Sequence, residues 1–91
     1  MRVVTIDCLG INSEAEFWKV YLSASQPEGA RYFGCNLDAF WDALHGGPGW
    51  PGECVLRFKN AAAVEPLRDG DFLQALRDIA NDSKEVRIEL T

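Results

Sequence analysis

The chain has 91 residues, 47% of them hydrophobic and 25% charged, with a formal net charge of −5. That length predicts one domain, 1–91, with apolar mass for a single compact core and none of the polar bias of a disordered chain. The acidity argues against nucleic acid and anionic membranes as ligands and favours a cationic protein.

In chain order, Arg2 to Cys8 (RVVTIDC) is rich in β-branched residues and predicts a strand. No apolar run is long enough for a secretory signal or a membrane span, so the expected location is the cytoplasm. Cys8, Cys35 and Cys54 are odd in number, widely spaced and without a CxxC, which predicts reduced thiols and neither disulfide nor zinc site. Gly10 and Asn12 end the strand. Ser13 and Glu16 fit a capping box at a helix start, and Phe17, Val20, Tyr21 and Ala24 carry that helix to about Ser25.

Gln26-Pro27-Glu28-Gly29 opens a surface loop that runs through Phe33 and Gly34. Asn36 is a good N-cap for a second helix, Leu37 to His45, which Gly46-Gly47-Pro48-Gly49 stops. Cys54 to Phe58 (CVLRF) predicts a strand buried on both faces. Ala61 to Leu67 is a short helical turn broken by Pro66; Asp69 or Asp71 caps a last helix, Phe72 to Asn81, and Val86 to Leu90 alternates as a closing strand. The order β-α-α-β-α-α-β implies an α/β fold in which three short strands form a parallel sheet with helices packed around it.

The second helix carries the functional signal. Leu37, Phe40, Trp41 and Leu44 recur at helical spacing and predict an apolar stripe facing the core. Asp38 and Asp42, four residues apart, share the outer face, and His45 continues it. Like charges at this spacing destabilise a helix by about 0.2–0.5 kcal/mol, and Asp42 sits near the end where the helix dipole disfavours an anion. Between Tyr32 and Val55 there is no Lys or Arg to compensate them. A partner must then supply the positive charge, unless the face is simply solvated. Tyr32 and Phe33 before the helix and Trp50 after it flank the acids with aromatic surface, as in tight protein interfaces. On the last helix Phe72, Leu76 and Ile79 point inward, leaving Asp71, Asp78 and Asp82 outside. Asp78 extends the acidic surface if the two helices are neighbours.

The run from Tyr32 to Leu44, YFGCNLDAFWDAL, resembles the Y-[YF]-G-x-N-L-D-A-[LF]-W-D-x-L signature of the barstar family, intracellular inhibitors of barnase-type ribonucleases. Size, acidity and element order agree along the whole chain. The resemblance implies a 1:1 complex with a basic, secreted, guanyl-specific ribonuclease and no need of a cofactor or metal; a monomer is the default expectation for the free chain. It implies that Asp42 stands in for the scissile phosphate, that Tyr32 covers the base-binding side, that Asn36 and Asp38 bond to basic residues at the rim, and that Asp78 matches a family glutamate. The partner-binding set implied is Tyr32, Phe33, Gly34, Asn36, Asp38, Asp42, His45, Gly46, Trp50 and Asp78. The chain departs from the family at His45, where a small hydroxyl is typical, and at Gly47, where an aromatic stands and whose area Trp50 would have to reach. His45 serves either as a helix-end cation or as an interface contact.

Two other readings compete. A protein of this fold can be an immunity protein against a different basic toxin. An enzyme built on Asp38 and Asp42, with Asp78 for a divalent metal, belongs to another class; the single His, the absence of a Gly-rich phosphate loop and the convex helix face argue against it.

Overall fold

Alternation decides the first element: in Arg2–Asp7 (β1) Val4 and Ile6 turn inward while Val3 and Thr5 stay exposed. The computed structural model describes residues 1–91. The chain continues through Glu14–Ser25 (α1), a 3-10 turn at Ala30–Tyr32, Leu37–Leu44 (α2), Cys54–Lys59 (β2), 3-10 turns at Ala61–Val64 and Leu67–Gly70, Asp71–Asp82 (α3) and Arg87–Leu90 (β3). The sheet is parallel throughout, in the order β1-β2-β3, with Arg2 opposite Cys54 and Val55 opposite Arg87. It is the three-stranded parallel sheet that the element order implied. The helix expected around Ala61–Leu67 reduces to two tight turns, because Pro66 offers no amide to continue it.

One expectation fails in an informative way. The run CVLRF is not buried on both faces: Cys54, Leu56 and Phe58 are buried, while Arg57 and Lys59 are exposed and Val55 is half-buried. All the buried strand residues face one side, where they join the helices in a continuous core. The other face is open to water, which is unusual for a parallel sheet. Arg57 makes this tolerable by donating to Glu89 on β3 at 2.9 Å, with Arg87 3.5 Å from the same carboxylate.

The core is aromatic. Phe17 meets Trp18 and Phe72 edge-to-face at 4.8 and 4.9 Å between ring centroids, and Trp18 reaches Phe33 and Phe40 at 5.6 and 5.4 Å. Such contacts add to the area term from burying large rings. The Tyr21 phenol and the Trp18 indole N–H are buried without a hydrogen-bond partner. The neighbouring Ser25 hydroxyl donates to the Tyr21 carbonyl at 2.8 Å. Burial pushes the phenol up to about 12.

The helix starts follow their caps. The Ser13 hydroxyl accepts the Glu16 amide at 3.2 Å, but the reciprocal half of the capping box is absent, and it is Glu14 that is engaged, by a bidentate pair with Arg68 at 2.7 Å. Neither Asp69 nor Asp71 caps α3: its N-cap is Gly70, and Asp71 opens the first turn, where an anion is favoured. No helix is long and apolar enough to cross a membrane.

Candidate functional site

Asn36 sets the register of α2. Its side-chain oxygen accepts the Ala39 amide at 2.7 Å and its amide nitrogen donates to the Gly34 carbonyl at 3.2 Å. The residue implied as a rim contact is therefore the structural start of the helix. With that register, Phe40, Ala43 and Leu44 are buried and Leu37 is half-buried, while Asp38, Asp42 and His45 are exposed. The apolar stripe thus runs through Ala43 and not Trp41. Trp41 is 43% exposed and stacks on His45, so the core role expected for it is wrong. It lies on the shoulder of the acidic face, although the spacing rule assigned it to the interior.

The loops on either side of α2 are tied together by Phe33 and Gly49. Phe33 is 6% exposed and packs on Trp18 and Tyr21, so it anchors the loop from inside and leaves Tyr32, 71% exposed, as the outward aromatic. A Cβ on Gly49 would lie 3.0 Å from the Phe33 ring, and Gly49 has φ +91°, so glycine is required there. Over Tyr32 sits Arg31, its guanidinium carbon 5.9 Å from the ring centroid. Cys35, between Gly34 and the cap, is exposed with φ 51°, a left-handed conformation uncommon outside glycine. Burial raises the other two thiols, Cys8 to about 11.

No ion pair reaches the acids. The three pairs in the structure join Arg57 and Arg87 to Glu89, and Arg68 to Glu14. Asp38 and Asp42 have no internal cation, and Asp78 accepts only from Gln74, at 3.1 Å. Asp78 stands exposed on α3, which packs beside α2. These acids do not converge on a metal-ligating cluster of three. At the C-terminal ends of the two helices Leu44, His45, Asp82, Lys84 and Glu85 line a common groove. Asp82 and Glu85 were not among the expected site residues. Asp82 repeats Asp78 one turn on, a spacing visible in the sequence, but only the packing of α2 against α3 reveals that it borders His45. Trp50 is elsewhere: half-buried, it lines a second groove with Arg2, Gln26, Pro27, Glu28, Pro51 and Gly52.

Gly46 is exposed with φ +94° and turns the chain out of α2. Gly47 lies against Asp42. Its amide donates to the Asp42 carbonyl at 2.8 Å, and a Cβ there would be 2.9 Å from that oxygen and 3.3 Å from the Asp42 Cβ. There is no room for a larger side chain while Asp42 keeps its place. Gly47→Ala is expected to cost about 1–3 kcal/mol of stability, as overpacking does, and to displace the carboxylate. Urea denaturation checks the first effect; an unchanged midpoint would show that the turn yields freely.

A family model described as Barstar (barnase inhibitor) matches residues 1–90. No curated protein matches the chain.

Proposed function

The chain belongs to the barstar family, and from that premise we propose that it inhibits a basic, barnase-type, guanyl-specific ribonuclease by inserting α2 and the loop before it into the active site. The observation that carries this reading is the pair Asp38 and Asp42, exposed on one helix face and unpaired with any Lys or Arg of the chain. An uncompensated pair of this kind is an internal cost that a cationic pocket recovers. In the complex Asp42 takes the place of the scissile phosphate among arginine and histidine side chains, where charge-assisted bonds sealed from water are strong. Tyr32 and Trp41 supply flat apolar surface on either side, Asp38 meets basic residues at the rim, and Asp78 extends the charge on α3. The complex is 1:1, and the inhibitor acts in the cytoplasm of the cell that makes the ribonuclease.

His45 and Gly47, which replace the family's small hydroxyl and aromatic, favour a second reading: an immunity protein of the same fold directed at another basic toxin. Titrating purified barnase with the chain separates the two. The first reading expects RNA cleavage to fall linearly to zero at equimolar protein, with association slowed by added salt because steering between opposite charges is screened. Full cleavage in the presence of excess chain would leave only the second.

A further inference from the structure

The outer face of α2 ends in an aromatic pair. The His45 ring stacks on the Trp41 indole, centroids 4.0 Å apart and planes inclined by 25°. Its Nδ1 lies 2.7 Å from the Trp41 carbonyl oxygen. A carbonyl oxygen can only accept, so Nδ1 holds the hydrogen. The neutral ring then has a single free lone pair, at Nε2, on the edge turned away from the helix backbone. The same bond caps the end of α2, where the His45 amide has turned to the Asp42 carbonyl at 3.0 Å. The imidazole is therefore fixed in one orientation and one tautomer by the chain itself.

That ring borders the open groove of about 380 Å³ whose apolar wall is Leu44. Around it stand Asp82 at the end of α3, and Glu85 and Lys84 in the turn into β3. Two carboxylates and the edge of the imidazole thus face a single ammonium. A side chain that enters has to bring N–H donors and positive charge.

We propose that His45 is a specificity-determining residue of the interface: its neutral Nε2 accepts a hydrogen bond from a guanidinium or ammonium group of the partner that enters this groove. The proposal rests on the inhibitor reading above and adds what selects the partner. It also fixes a sign. Protonation removes the acceptor and sets cation against cation, so the complex holds one proton fewer at His45 than the free, protonated chain. Affinity then falls on acidification, by at most about tenfold per pH unit for one group.

The test compares dissociation constants of the chain and of His45→Gln with purified barnase between about pH 8 and about pH 5.5. Glutamine keeps an acceptor oxygen but takes up no proton, and any titration of the ribonuclease is common to both proteins and cancels. Near-equal affinities at the upper end are expected, with the unmodified chain losing more affinity than His45→Gln at the lower end. Equal slopes with tight binding would overturn the proposal and leave the inhibitor reading standing. Nitrogen NMR of the free protein, whose single histidine needs no assignment, is expected to show the Nδ1–H tautomer; the Nε2–H tautomer would overturn the proposal alone. Absence of binding by either protein at every pH would overturn the inhibitor reading, and this proposal with it.

Discussion

Asp42→Ala is expected to weaken the complex with a barnase-type ribonuclease by about 2–5 kcal/mol, mostly through faster dissociation. Barstar complexes themselves contribute to that range, so its size is a family expectation. The direction rests on this chain. In the free protein Asp42 is exposed, has no cation beside it and stands near the C-terminal end of α2, one turn after Asp38. Removing it relieves a like-charge pair worth about 0.2–0.5 kcal/mol and an anion that the helix dipole opposes. The substitution should therefore leave thermal stability unchanged or slightly raised while affinity collapses. That split distinguishes a residue kept for a partner from one kept for the fold. Retention of full affinity by Asp42→Ala would end the active-site plug reading.

Phe40→Ala should have the opposite signature. Phe40 is fully buried, meeting Tyr21 at 5.2 Å and Trp18 at 5.4 Å between ring centroids. Truncating such a ring costs about 3–5 kcal/mol in lost burial and residual cavity. In a domain this small each kcal/mol corresponds to about 4–8 °C in Tm, so the shift is large and the protein approaches its limit of stability. The neighbouring Trp41→Ala, at a half-open position, is expected to cost less than about 1 kcal/mol of stability and to weaken binding, since an aromatic beside charge is a typical interface anchor. Denaturant unfolding of the two variants side by side checks the orientation of α2. Equal losses of stability would mean that Trp41 is in the core after all.

Much of this was legible before any coordinates. The three strands, the cap at Asn36, the exposure of Asp38 and Asp42 and the inward face of Phe72, Leu76 and Ile79 all follow from local pattern. What failed has a common cause. In an eight-residue helix, spacing alone cannot choose between a stripe through Trp41 and one through Ala43. The small Ala43, fully buried, lets α2 approach its neighbours closely and leaves the bulky indole on the rim. The double burial assigned to CVLRF overlooked Arg57, whose partner Glu89 comes from a strand thirty-two positions later. The groove beside His45 is likewise a product of two helix ends meeting. Each miss concerns which surfaces face one another, and that information is distributed over the whole chain.

The parallel pairing of β1 with β2, Arg2 opposite Cys54 through Asp7 opposite Lys59, encloses α2 and the loops on either side of it in one large loop. Bringing such distant segments together pays its loop-closure entropy before any pairing is gained, which makes assembly of this sheet an intrinsically slow, all-or-none event. The shared face of Asp38 and Asp42 is local to α2, whereas their placement beside Asp78 of α3 requires the folded sheet.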